Sequence, residues 1–99
     1  MNITFTSYHC DSSNSLESYA TEKLEKVLKH SDYKVVDAKL TFSVDNLNKV
    51  AQGTLLLPQK RRVFATTSTT DMYASIDKLV DKLDAQVRKL HSKDKDHRE

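Results

Sequence analysis

The sequence predicts an α+β sandwich of order β-α-β-β-β-α, a four-stranded sheet with two helices on one face. Three observations carry that reading. Four short segments alternate apolar with polar residues or are rich in β-branched ones. Two longer segments repeat apolar residues at helical spacing, each leaving a single apolar stripe. One helical segment stands second and the other last, so the first can cross over between two parallel strands. The other sheet face is then left to water.

Asn2 to Tyr8 alternates, with Ile3 and Phe5 on one side and Asn2, Thr4 and Thr6 on the other, and forms the first strand. After the polar "CDSSNS", the run "LESYATEKLEKVLK" places Leu16, Tyr19, Ala20, Leu24, Val27 and Leu28 on one helical face ending near His30. Ser13 or Asn14 is the N-cap, with Glu17 placed to close a box with Asn14. From Lys34 the period returns to two: Val36, Ala38, Leu40, Phe42 and Val44 alternate with Val35, Asp37, Lys39, Thr41 and Ser43. "DNLNK" separates this strand from "VAQGTLLL", and "PQKRR" separates that from "VFATTST", with Pro58 at a strand end. Thr70 or Asp71 caps the last helix, whose apolar positions are Met72, Ile76, Leu79, Val80, Leu83, Val87 and Leu90. One domain through residue 92 and a charged, frayed tail over 93–99 complete the expected organisation.

A chain of 99 residues fits one modest core. The lone Cys10 excludes an internal disulfide, and no Cys/His set has zinc spacing. The N-terminus lacks the basic and apolar regions of a secretion signal, and no window is long and apolar enough for a membrane span. A cytosolic protein without a membrane partner is expected. Sixteen basic against fourteen acidic residues leave +2, so total charge names no partner and placement becomes decisive.

On the last helix Lys78, Lys82, Lys89 and Lys93 fall on one flank, within about 60° of one another, while Asp77, Asp81 and Asp84 fall on the opposite flank. Arg88 lies on the acidic flank, four residues beyond Asp84, where the two neutralise each other. Lys78 and Lys82 are four apart, as are Lys89 and Lys93; like-charge pairs at that spacing repel, so helix stability does not explain them. The first helix adds Lys23, Lys26 and Lys29 at three-residue steps, with Lys23 reaching past the core boundary. Lys60, Arg61 and Arg62 form a third cluster at a hairpin tip. Helices side by side would let the two lysine rows meet in one basic surface. Lysine-rich helix faces are commonly just solvated; the sharper reading is a surface that tracks phosphates and releases counterions. With no base-stacking row or recognition-helix pattern, that surface is expected to bind shaped RNA by its backbone.

"DMYASIDKLVDKL" at residues 71–83 resembles the run "DMYAAID-L-DKL" of the ribosome hibernation-promoting factor family, which includes ribosome-associated inhibitor A and was formerly called the sigma-54 modulation proteins. Asp71, Met72, Tyr73, Ala74, Ile76, Asp77, Leu79, Asp81, Lys82 and Leu83 match it, and element order extends the likeness over essentially the whole chain. Length resembles the short members, which lack a dimerisation domain and the charged extension of the inhibitor A branch. The resemblance implies a domain similar in shape to double-stranded RNA-binding domains, with no enzymatic activity and no cofactor. It implies docking on 16S rRNA of the small ribosomal subunit, at the channel for mRNA and tRNA, in competition with both. Such members inhibit translation and favour inactive ribosome dimers in stationary phase. A second ribosome-dimerising factor is a candidate partner, and the protein off the ribosome is expected to be a monomer. Lys23, Lys26, Lys82, Lys89 and Lys93 match basic family positions. Three positions depart: Ala85 replaces the arginine after "DKL", Glu17 replaces a basic residue early in the first helix, and "PQKRR" replaces a glycine-rich turn. Arg88, or Lys60, Arg61 and Arg62, are the candidates to compensate.

Other chemistry has little support. His9 and Cys10 are adjacent on a strand, so they point to opposite faces. His30, His91 and His97 lie at helix ends or in the tail, and Asp77 and Asp81 on an exposed flank rather than in a cleft. Tyr73, in the first helical turn, is expected to pack over the sheet edge. Leu55, Leu57 and Phe64 alternate out of step with the residues expected to be buried. They are either shielded by neighbours or form an apolar sheet face for a protein partner, which is the alternative function.

Overall fold

The computed structural model describes residues 2–8, 13–28 and 35–96, with side chains to residue 90. The strands are β1 (Asn2–Tyr8), β2 (Asp37–Asp45), β3 (Asn48–Leu57) and β4 (Arg61–Thr69), with α1 (Asn14–Leu28) and α2 (Met72–Asp96) as the helices. They form one sheet of order β1-β2-β3-β4. β1 pairs parallel with β2, so α1 is the crossover between them, and β2, β3 and β4 form an antiparallel meander. The predicted α+β architecture is the observed one.

Register decides which face each strand buries. Leu40 pairs with Gly53 and Gly53 with Ala65; Ala38 pairs with Leu55 and Leu55 with Val63. These residues share the face beneath the helices, where Ala38, Leu40, Phe42, Ala51, Leu55, Leu57, Val63 and Ala65 are buried. Against them lie Ala20, Leu24 and Leu28 of α1 and Ile76, Leu79, Val80, Leu83 and Val87 of α2. Leu55 and Leu57 are therefore core residues, shielded by their neighbours, and the alternative apolar face made of Leu55, Leu57 and Phe64 does not form. Of the three, only Phe64 is exposed. The run Leu55-Leu56-Leu57 hides the parity of β3, whereas the phase of Ala51 and Gly53 reveals it. Val36 likewise stays exposed, because the helix-covered part of β2 starts at Ala38.

Gly53 is the only glycine in the chain, and it lets α2 approach the sheet closely. A Cβ there would stand 3.0 Å from both Leu40 Cδ2 and Leu83 Cδ1 and 3.3 Å from Leu79 Cδ2. All three leucines are buried, with little room to yield.

Hydroxyl groups fix the start of α2. Asp71 Oδ1 accepts from the Tyr73 amide at 3.1 Å, which makes Asp71 the N-cap, and the Ser75 amide donates to the Asp71 carbonyl at 2.9 Å. Ser75 is fully buried; its hydroxyl donates to the Lys49 carbonyl at 2.6 Å and lies 2.7 Å from Thr69 Oγ1. Thr67 Oγ1 donates to the Ser75 carbonyl at 2.7 Å. The helix is thus tied to β3 and β4 by partners that satisfy every buried hydroxyl of the cluster. At α1, Ser13 is the cap: its Oγ accepts from the Leu16 amide at 3.1 Å, which places Leu16, not Glu17, at the capping-box position.

The two hairpins use left-handed backbone without glycine. Asn46 takes φ 58° in the turn between Asp45 and Asn48, a conformation asparagine tolerates. Between β3 and β4, Pro58 ends the strand and Gln59 and Lys60 adopt φ 66° and 62°. Consecutive left-handed residues carrying Cβ atoms are strained, so the "PQK" turn stores that strain. No glycine or proline interrupts α2, whose backbone stays helical to Asp96.

Two stability measurements follow. Gly53→Ala should lower unfolding free energy by about 1–3 kcal/mol in urea titration, as overpacking does. Gln59→Gly should raise it by about 0.5–1 kcal/mol, because the left-handed φ ceases to cost anything.

Candidate nucleic-acid interface

The apolar stripe of α2 faces the sheet, so its charged flanks face in opposite directions. The acidic flank meets α1. Asp77 Oδ1 accepts from the Tyr19 hydroxyl at 2.6 Å and lies 3.6 Å from Lys23 Nζ, while Asp84 holds Arg88 at 3.0 Å. The Tyr73 ring packs edge-on against Tyr19, centroids 5.0 Å apart, so it packs on α1 and not over the sheet edge as expected. The lysine flank lies on the other side, along the outer edge of β4. Lys82 Nζ donates to the Thr66 carbonyl at 3.3 Å, and the Gln86 amide donates to the Phe64 carbonyl. These are backbone acceptors that β4, as an edge strand, leaves without a neighbouring strand.

The two lysine rows consequently do not merge. Acidic residues of α2 lie between them, because the flank that reaches α1 is the one that carries Asp77 and Asp84. Instead there are two basic regions. The first is a groove of about 550 Å³ between the helices, lined by Tyr19, Glu22, Lys23, Lys26, Val27 and Arg88. Its three cations come from both helices, so Arg88, which sequence alone placed on the acidic flank, shares a groove with Lys23 and Lys26. The second runs along the β4 edge, with Lys78, Lys82 and Lys89 exposed on α2. Thr66 lies beside Lys82 and Phe64 beside Gln86, so two strand residues advance with four helix residues, about 6 Å in each element. Continued in the same direction, the turn with Lys60 and Arg62 lies toward the C-terminal end of α2. Lys60 and Arg62 are exposed and Arg61 half-buried. The Lys93 side chain and all of Lys29 lie outside the described residues, as do His9, Cys10, His30 and His97.

Among the described residues no group of three or more His, Cys, Asp or Glu is placed to hold a metal ion, and no helix is long and apolar enough to cross a membrane. Asp77, the best-placed carboxylate, is engaged by Tyr19 and Lys23. That leaves cations at the rims of a folded sheet as the chemistry on offer, which suits polyanion docking.

Comparison with known proteins agrees over nearly the whole length. Residues 3–95 match the model of the Sigma 54 modulation protein / S30EA ribosomal protein family. The chain belongs to that family. It is non-enzymatic and ribosome-associated. Among S30EA relatives, the ribosome hibernation promoting factor of Pseudomonas putida is 34% identical over 93 residues, 94% of this chain and 89% of that one. The Azotobacter vinelandii factor of the same name is 30% identical over 94% of this chain and 85% of that one. A ribosomal subunit interface protein from Coxiella burnetii superposes with TM-score 0.86 at 26% identity, covering 93% of this chain and 99% of that one. The N-terminal domain of Thermus thermophilus Protein Y gives 0.81 at 26% identity, over 91% and 99%.

The Tyr19–Asp77 bond makes a pH prediction. The hydrogen bond to Asp77, then desolvation and the negative charges of Asp77 and Asp71, hold the Tyr19 hydroxyl above the usual tyrosine value. A folded value above the unfolded one, about 10, means that the contribution is complete below pH ~10 and is lost as pH rises through the higher folded value. Tyr19→Phe should lower the melting temperature at neutral pH and flatten its fall on the alkaline side, measured by thermal denaturation from neutral to alkaline pH.

Proposed function

We propose that this protein docks on 16S rRNA of the small ribosomal subunit at the decoding channel, where it competes with mRNA and tRNA, inhibits translation and favours inactive ribosome dimers in stationary phase. The observation that carries the reading is the lysine flank of α2. Lys82 is held at the β4 edge by the Thr66 carbonyl, and Lys78 and Lys89 are exposed on the same flank, away from Asp77 and Asp84, with Lys78 and Lys82 at a spacing that does nothing for the helix itself. The groove cations Lys23, Lys26 and Arg88 supply a second set of phosphate contacts. The hairpin cluster Lys60, Arg61 and Arg62, together with Lys29 and Lys93, extends the proposed surface. The names of the relatives support the same direction: ribosome hibernation promoting factors and a ribosomal subunit interface protein. Off the ribosome the protein acts as a cytoplasmic monomer, and a second factor can complete ribosome pairing. Burial of Leu55 and Leu57 removes the surface on which the alternative protein-interaction reading depended.

Sedimentation with ribosomes tests the proposal. The protein should comigrate with the small subunit, and prior loading of mRNA and initiator tRNA should reduce comigration. With about five phosphate contacts, affinity should fall on the order of 10²–10³-fold between about 50 and 200 mM salt. Lys82→Glu combined with Lys89→Glu should abolish comigration while leaving the circular dichroism melt nearly unchanged, since Lys82 gives up only one solvent-accessible bond to Thr66. Unaltered comigration of the double variant would remove the α2 flank from the interface.

A further inference from the structure

The sheet face opposite the helices carries a feature that docking through the helix lysines does not use. Register places Thr4, Lys39, Thr54 and Phe64 in one row across all four strands, with Asp37, Leu56 and Arg62 in the next. Phe64 is 54% exposed on this face, although its backbone is held at the β4 edge by Gln86. Much of the Phe64 ring stays in water on a face otherwise rich in hydroxyl groups, with the half-buried Leu56 in the adjacent row. Thr54 is paired directly with Phe64, and two cations lie further off. Arg62 is two residues away on the same strand, about 6.6 Å, and Lys39 lies two strands over, about 10 Å. Beside them is a hollow of about 390 Å³ lined by Asp37, Lys39, Thr54, Leu56 and Arg62.

We propose that this face binds single-stranded RNA, one unstacked base lying on the Phe64 ring with its flanking phosphates on Arg62 and Lys39. The hollow matches the rest of a nucleotide. Leu56 gives an apolar floor, Thr54 a hydroxyl, and Asp37 an acceptor that suits a ribose hydroxyl or a base amino group and disfavours a second phosphate at that corner. A flat sheet offers its ring only to a base already out of a helix, so duplex RNA is excluded from this site. Charge selects a nucleic acid over an apolar peptide, since two cations and one anion surround the ring. Tyr8, 56% exposed on the same face, stands at the far corner, about 19 Å from Phe64 by strand spacing, where a base further along the same strand can reach it. The site goes beyond the docking function, for it faces away from both lysine-lined surfaces.

Fluorescence anisotropy with an end-labelled oligouridylate of about 12 nucleotides tests the proposal on the intact chain. Phe64→Ala should weaken binding about tenfold, the usual weight of one stacked base, while Phe64→Tyr, which keeps the ring, should remain within about twofold of wild type. Lys39→Glu, which leaves every cation of the proposed docking surface in place, should also weaken binding, and more so at low salt. Unlabelled duplex RNA should fail to rescue or mimic the Phe64 dependence. Wild-type protein that does not bind the oligonucleotide, or Phe64→Ala binding as tightly as wild type, overturns the proposal. So does a Phe64 effect seen only on association with a protein. Each result stands whether or not the same preparation sediments with ribosomes, so failure here and failure of small-subunit docking are separately visible.

Discussion

The rotation of α2 about its own axis decides which surface each of its charges occupies. That rotation is set where the helix is least free, at the contact of Leu79 and Leu83 with Gly53 and at the hydroxyl cluster of Ser75, Thr67 and Thr69. A twist of one residue, about 100°, would carry the aspartates under the sheet and strand the lysines against α1. The apolar stripe resists that because buried area is lost in every other orientation, and the polar cluster resists it because buried hydroxyls would lose their partners. Neither device touches a nucleic acid, yet both determine where the cations stand.

Charge sorting on α2 then has a structural half and a functional half. Two of the three aspartates have partners: Asp77 holds Tyr19 and Lys23, and Asp84 holds Arg88. The Asp77 contacts tie the two helices together over the core, the Asp84–Arg88 pair lies within α2, and Lys23, Lys26 and Arg88 converge in the groove between the helices. The lysines on the other flank have no carboxylate among the described residues to neutralise them. Exposed lysines contribute little to folding, so their regular placement is better accounted for by what lies outside the molecule.

Much of this was legible from residues alone. The alternation in β1 and β2, the amphipathic period of both helices, a cap at Thr70 or Asp71 and the strand end at Pro58 each rest on a strong local signal, and the motif at residues 71–83 identified the family. What escaped was parity and partnership. Three consecutive leucines in β3 give no period, so the inward set was readable only through Ala51 and Gly53, whose smallness is itself the mark of a closely approaching helix. In β4 the large Phe64 faces water while Ala65 and Thr67 are buried, the reverse of what hydrophobicity ranking expects. Ser75 escaped as well, because its role depends on Lys49 and Thr69, far apart in the chain. The separation of the two lysine rows required knowing on which side of α2 the first helix lies, and a helical wheel does not contain that information.

The covering of β4 by Lys82 and Gln86 leaves the sheet with unequal rims. At one rim, side chains of α2 occupy backbone acceptors that an incoming chain would need. At the other, β1 pairs only with β2 among the described strands. Growth of the sheet by an added strand is therefore hindered at β4, where a new chain meets a picket of ammonium and amide groups, whereas among the described residues no strand lies beyond β1. The helix that presents cations to the outside thus also serves as a guard against end-to-end polymerisation, keeping a stack of copies from propagating through both rims at once.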